Sequence, residues 1–367
     1  MAEFVKLLGK ASSTPRFDVG VALARLNPSN AYHSIFEDMI PAAAMLGLVG
    51  NMSVDPAVTL RRLQERRWGL FVVDRGGDLL DRKFWRECLP EIAMVQPSDL
   101  AYRVDKLQAG TQASCAHWGH CQPLYRPTGV YNPPEAALGL RQLVFRRYGI
   151  QQDEADVAPS HPKGPPRVTL VQRSSSRTIK NVDEVVEKLA SVMGNSPQVV
   201  DIADLSVKEQ VILAHKTDIY VLVHGGALAN LLWLPPRALV VDIYPFGFAL
   251  SYHHRIVHWI WKSLEPAFAI GHLPFQIHTT QGQELVTGPL PPGCACHTQE
   301  CEIHVFVGLV SLTIELDRFE THLKETLRLW EGGKYEPSMT FTEWEKKEAK
   351  ERKEQMATQK GAPSCLA

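Results

Sequence analysis

No apolar run in this 367-residue chain approaches the ~20 residues that a membrane-crossing helix needs. Met1 to Pro15 likewise hold no stretch able to act as the core of a secretory signal, so the chain is expected to be soluble, with no transmembrane segment. Charge of one sign is also missing. With 39 Lys and Arg against 40 Asp and Glu, no global field draws the chain to nucleic acid or an anionic bilayer, so phosphate recognition must be local. No Asp-x-Asp pair occurs, the usual means of fixing Mg²⁺ or Mn²⁺ against a diphosphate. No Gly-x-Gly-x-x-Gly follows a strand either, which disfavours a nicotinamide-dependent oxidoreductase. Seven cysteines are too few for a disulfide scaffold. Five of them cluster (Cys115, Cys121, Cys294, Cys296, Cys301) as expected of disulfides in an oxidising compartment. His117, His120 and His297 among them leave a zinc site open, though the CxxC knuckle is absent.

What is present is ordinary globular material, 45% hydrophobic and 22% charged, long enough for two domains. From Arg167 the pattern alternates strand and helix. A β-branched run over Arg167–Gln172 is followed by a helix Val182–Met193 that an Asn181/Glu184 capping box opens and Gly194 stops. A strand Val199–Ile202 precedes a second box, Ser206 with Glu209, and a helix through His215. Strand Ile219–Val223, helix Ala227–Leu234 ended by Pro235-Pro236, and strand Leu239–Tyr244 complete the series. Strands joined by such crossovers lie parallel, so residues 166–245 read as a doubly wound sheet. The first 150 residues also read as α/β, with a helix Ala31–Leu48, strands Leu70–Val73 and Ile92–Val95, and helices near Arg82–Cys88 and Glu135–Arg147. The expected division is an N-terminal lobe (1–150), a Pro-rich linker (151–166), a C-terminal lobe (167–332) and a Lys/Glu-rich tail, helical or disordered (333–367).

Ligands sit beyond the carboxyl ends of strands in such sheets, and two loops qualify. Arg173 to Lys180 carries two arginines, a lysine and four hydroxyls, a composition suited to a diphosphate or simply to a solvated basic loop. His224-Gly225-Gly226 runs from a strand straight into a helix opened by Ala227, where glycines allow close approach and unpaired N–H groups favour an anion. His224 is either a structural imidazole or a ligand; Asn230, one turn on, either caps a neighbouring loop or touches the ligand. Trp233 and Leu234 read as core. Upstream, Asn30 or Ser29 caps a helix on which His33 and Glu37 share a face beside Asp38; these groups are either a general base or part of an exposed amphipathic helix.

Three motifs together resemble glycosyltransferase family 61. Asn30-x-x-His33-x-x-x-x-Asp38 matches its Asn…His…Asp helix. Arg173, Arg177, Ile179, Asn181 and Glu184 match Arg-x-x-x-Arg-x-Ile-x-Asn-x-x-Glu. His224 to Asn230 with Leu234-Pro235 match His-Gly-Ala-Gly-Leu-Thr-Asn followed by Leu-Pro. Val240–Pro245 resembles the family's next strand. This chain differs in the Gly226-Ala227 order and in Ala229, where the family has Thr. The resemblance implies a GT-B architecture, two Rossmann-like lobes facing a cleft, and inverting, metal-independent transfer of N-acetylglucosamine or a pentose. The donor would be a UDP-sugar, with no other cofactor, and the acceptor a hydroxyl of a glycoprotein or glycan. It implies Asp38 or His33 as base and Arg173, Arg177, His224, Gly225, Gly226, Ala227 and Asn230 as the donor site. It also implies the secretory lumen, endoplasmic reticulum or Golgi; with no targeting segment visible, a cytoplasmic location stays open. The departures at Gly226, Ala227 and Ala229 leave a second reading, a catalytically silent relative that binds nucleotide or glycan.

Overall fold

The computed structural model describes residues 16–24, 56–72, 85–95, 103–112, 134–151, 164–246, 270–278, 281–286, 305 and 308–332. His33, Asp38, the clustered cysteines, most of the linker and the charged tail lie outside the described residues, as does the region of the helix Ala31–Leu48.

Two separate parallel sheets form. The first is built from β1 (Arg16–Ala24), β2 (Trp68–Val72), β3 (Ile92–Val95) and β4 (Arg103–Gln112) in the order β3-β2-β1-β4. All of its pairings are parallel. Helix α1 (Pro56–Glu65) leads into β2, and α2 (Pro134–Tyr148) follows the sheet. Neither β1 nor β4 was expected from the sequence, although Phe17, Val19, Val21 and Leu23 alternate with a period of two. The helix anticipated near Arg82–Cys88 is, among the described residues, one turn at residues 85–88.

The second sheet carries β5 (Val168–Val171), β7 (Gln198–Val200), β8 (Ile219–Val223), β9 (Leu239–Tyr244) and β10 (Gly271–Gln276) in the order β10-β9-β8-β5-β7, again all parallel. Central strands β5, β8 and β9 are buried throughout, as near-continuous apolar runs require, and the mostly exposed β7 is an edge. A small third sheet joins β6 (Thr178–Ile179) to β12 (Leu309–Leu312) and β11 (Glu284–Leu285).

Side-chain alternation sends the central strands' residues to two cores. One face packs Val221, Val223, Val241 and Ile243 against α3 (Val182–Met193) and α5 (Leu316–Gly332). The other packs Tyr220, Leu222 and Val240 against α4 (Val207–His215) and a 3₁₀ helix, Gly226–Trp233. That second core runs on without a break into Leu63, Trp68, Trp85, Leu89 and the buried face of α2. Helix α2, assigned by sequence to the N-terminal lobe, thus shares a core with the C-terminal sheet. Arg141 of α2 is buried and its Nη1 donates to the carbonyls of Leu232 (2.9 Å) and Leu234, satisfying the end of the 3₁₀ helix.

Local signals held in some places and were overridden in others. Helix α3, β8 and β9 have the expected bounds, and Gly194 (φ 79°) closes α3 with its N–H on the Ala190 carbonyl. The Ser206/Glu209 capping box forms in full. Asn181 does not cap α3. Its side-chain amide instead makes a reciprocal pair with the backbone of Ile314 (3.0 and 2.9 Å), which ties α3 to the end of β12. The strand expected over Val199–Ile202 is shorter and earlier, because Ile202–Asp204 turns as a 3₁₀ helix capped by Asp201. The helix expected over Ala227–Leu234 is also 3₁₀ and begins one residue sooner. Every residue from Leu228 to Trp233 is buried, so packing on all sides sets its winding rather than a single apolar stripe.

Candidate functional site

The order β10-β9-β8-β5-β7 reverses direction between β5 and β8, and the two basic loops leave those strands side by side at their carboxyl ends. That is the switch point at which doubly wound sheets bind ligands.

The first loop is held shut by one side chain. Gln172, just past β5, donates to the Ile179 carbonyl (3.1 Å) and accepts from the Ile179 N–H (3.2 Å), clasping Arg173 to Thr178 into a closed excursion. Within it the Ser174 N–H bonds Asp201 (2.7 Å). Arg177 has a left-handed backbone (φ 57°), a conformation that costs a non-glycine residue ~1 kcal/mol or more and that gathers at functional sites. The result is direct: Arg177 Nη1 reaches back to the His224 carbonyl at 2.6 Å.

The second loop makes room for that guanidinium. A Cβ added to Gly225 would clash with Arg177 Nη1 and lie 3.4 Å from Arg173 Nη1, so a side chain here would push the Arg177 guanidinium from its place. The 3₁₀ ladder begins with the Leu228 N–H on the Gly225 carbonyl (3.0 Å), leaving the N–H groups of Gly226 and Ala227 ahead of it. Burial and then the adjacent Arg173 charge pull the Arg177 guanidinium down to about 10, with Asp242 opposing. Arg173 is likewise lowered by burial, against Asp201. Both stay cationic at neutral pH. Two like charges held together in half-buried positions make an arrangement suited to an oxyanion, which guanidinium forks can bind two oxygens at a time.

Beneath the loop lies a buried charge cluster. His224 Nδ1 meets Asp242 Oδ2 at 2.9 Å, and His272 Nε2 meets the same oxygen at 3.1 Å. Tyr244 stacks on the His224 ring, centroids 4.7 Å apart. Burial pushes the Asp242 carboxyl up, but the charges and hydrogen bonds of the two imidazoles outweigh it and hold it well below the usual carboxylate range. Asp242 and His272 were not singled out from sequence. A legible signal existed for one of them: an aspartate inside the apolar run Leu239–Tyr244 has to be paired.

Of the residues proposed from sequence, Arg173, Arg177, His224, Gly225, Gly226 and Ala227 come together here. Asn230 turns inward. It is 1% exposed and its amide donates, at 3.4 Å each, to Gln210 and to the Tyr220 hydroxyl, which itself donates to the Ala227 carbonyl (3.3 Å). Lys180 points elsewhere, to Glu284 at 3.1 Å. Among the described residues no three His, Cys, Asp or Glu side chains are arranged to hold a metal ion, and no helix is long and apolar enough to cross a membrane.

These sheets and this cationic cluster define the class: an α/β protein of doubly wound type with basic side chains at a switch point. A family model, Glycosyltransferase 61, matches residues 32–241, more than half of the sequence. The chain belongs to that family. It is similar to the EGF domain-specific O-linked N-acetylglucosamine transferase of Bos taurus, 35% identical over 144 residues that span 36% of this chain and 26% of that one. It is also similar to an alpha-1,3-arabinosyltransferase of Oryza sativa subsp. japonica, 30% identical over 102 residues, 27% of this chain and 17% of the relative. The matched region thus spans about a quarter or less of either relative. Among solved structures, the bacterial iron-containing dodecameric glycosyltransferase TibC from enterotoxigenic E. coli aligns over 64% of this chain and 60% of its own, with 14% identity and a TM-score of 0.24.

Proposed function

We propose that the protein is an inverting, metal-independent glycosyltransferase that moves N-acetylglucosamine or a pentose from a UDP-sugar to a hydroxyl of a glycoprotein or glycan. The observation that carries this reading is the Arg177 guanidinium lodged over Gly225 against the His224 carbonyl, with Arg173 beside it. A diphosphate leaving group needs its growing charge met where it develops. With no Asp-x-Asp pair to recruit a divalent cation, two guanidinium groups and the N–H groups of Gly226 and Ala227 supply that charge. In the proposed division, residues 1–150 and 167–332 form the two lobes of a GT-B arrangement, with donor in the second and acceptor approaching from the first. Asp38, or His33, lies in the stretch that follows β1 and would take the acceptor proton as the hydroxyl displaces UDP in line. The proposed compartment is the secretory lumen, which paired Cys115 and Cys121 would support and free thiols would oppose.

Calorimetric titration with UDP, then transfer and hydrolysis assays over a panel of UDP-sugars, tests the reading. Binding plus turnover is expected, with Asp38→Asn sparing UDP affinity and lowering rate by ~100-fold or more. Failure of UDP and of every UDP-sugar to bind would sink it, and binding without turnover would favour the silent relative. One observation speaks against that second reading: Ala229 is fully buried, so the hydroxyl that the family carries there would face the core.

A further inference from the structure

Arg173 stands between two tethers to the neighbouring strand. Behind it the Gln172 N–H donates to the Val200 carbonyl (2.9 Å), a ladder bond between β5 and β7. Ahead of it the Ser174 N–H donates to Asp201 Oδ2 (2.7 Å). In a regular parallel ladder that N–H would meet the carbonyl of Ile202, two residues beyond Val200. Ile202 has already turned into a 3₁₀ helix, so the Asp201 side chain takes the bond in its place. The other oxygen, Oδ1, caps that helix at the Ala203 N–H (3.0 Å). A cap alone needs one oxygen, and serine or asparagine serves there as well as aspartate. The turn is fastened from below, where the buried Gln210 of α4 donates to the carbonyls of Ile202 and Leu205, 3.1 Å each.

The two arginines of the loop are placed by different means. Arg177 is held by the His224 carbonyl. Among the described residues no hydrogen bond or ion pair holds the Arg173 guanidinium, so its place beside Gly225 follows from the backbone that carries it. Burial pushes the Asp201 carboxyl up, but the bonds from Ala203 and Ser174 and the charge of Arg173 outweigh it and hold it below its ordinary value. It is therefore ionised at neutral pH, and a carboxylate facing Arg173 opposes any anion brought there. Such a charge at an anion site calls for a reason beyond capping one short turn.

We infer that Asp201 is a positioning residue for the diphosphate site: by taking the Ser174 N–H it fixes the backbone from which Arg173 reaches the space beside Gly225. This rests on the reading of the site as a diphosphate pocket. Gln172 and Asp201 then hold the two sides of Arg173 as a pair, and the loop presents its cation without first having to order it.

The test is calorimetric titration of UDP and of inorganic pyrophosphate into the full chain, for wild type, Asp201→Ala, Arg173→Ala and the double variant. Charge and position predict opposite signs. If Asp201 acted by charge alone, its removal would tighten anion binding. The positioning role requires Asp201→Ala to bind both ligands ~5-fold or more weakly, and the double variant to bind no more weakly than Arg173→Ala, since an arm already removed has no position to lose. Unchanged or tighter binding by Asp201→Ala overturns the role. So does a loss that adds in full to that of Arg173→Ala, the mark of a structural residue acting elsewhere. Both of those results leave the pocket intact, whereas absence of UDP and pyrophosphate binding by wild type overturns the pocket and this role with it. Should Asp201→Ala fail to fold, Asp201→Ser keeps one oxygen for the Ala203 cap and none for Ser174, and the same outcomes decide.

Discussion

One methyl group at Gly225 would displace the Arg177 guanidinium from its place on the His224 carbonyl, which couples the two residues. Gly225→Ala should cost UDP affinity about as much as Arg177→Ala, ~30-fold or more, the scale of one lost charge-assisted hydrogen bond. The double variant should be no worse than either single one, because both remove the same guanidinium from the same place. Calorimetry of the four proteins measures that coupling, and additive losses would show that Gly225 acts elsewhere. At this scale the sequence named residues that the structure brings together, Arg173, Arg177 and His224. Arg173 and Arg177 stood out as two cations among hydroxyls in a loop at a strand's carboxyl end, and His224 because it precedes two glycines where a strand runs into a helix. Their partners did not: Gln172 clasps the loop through a backbone only seven residues on that no side chain marks, and His272 meets Asp242 across strands 30 residues apart.

The 3₁₀ helix Gly226–Trp233 shows what an element needs beyond its own residues. It is eight residues long, a long run for this helix type, and its far end rests on Arg141 from α2. That guanidinium is buried, lies 4.5 Å from the Phe145 ring, and satisfies two carbonyls that nothing on the helix itself can reach. Arg141→Met should therefore destabilise the protein by about 3 kcal/mol, from two buried carbonyls left unpaired, and urea unfolding should report it. Arg141→Lys should recover only part, because an ammonium lacks the planar fork. Local code predicted the element's place but not its winding. Asn181 was misread in the same way: as a helix cap its amide satisfies one N–H, whereas against Ile314 it satisfies two backbone groups. By contrast Ser206 and Gly194 behave as read, because their bonds close within four residues.

For the whole molecule, the buried Asp242 is one source of the response to acid. The Asp242 carboxyl is held far below its unfolded-state value of ~3.9, so its contribution is complete above that pH. As pH falls below ~4 the unfolded chain takes up a proton that the native state refuses, and that stability drains away. Asp242→Asn should flatten the stability curve below pH ~4, and an unchanged slope in denaturant titrations across that range would exclude this source. Strands β5, β7, β8 and β9 were legible because the turns between them carry capping residues, glycine and proline, whereas β10 was not expected from the sequence. The four-stranded sheet was less so, since β1 and β4 were not expected as strands, and the reach of α2 into the second core could not be read at all.

Helix α2 lies before the proline-rich stretch in sequence and beyond it in space. A chain started at Arg167 would keep every strand of the five-stranded sheet yet lose the wall that covers Trp233 and the prop beneath the 3₁₀ helix. A peptide break between α2 and β5, on the other hand, removes no contact in that core. The two pieces would remain one folded body, held by the shared apolar core, by Arg141 on the Leu232 and Leu234 carbonyls and by the Val207 N–H on Glu87, and would separate only when the core itself melts.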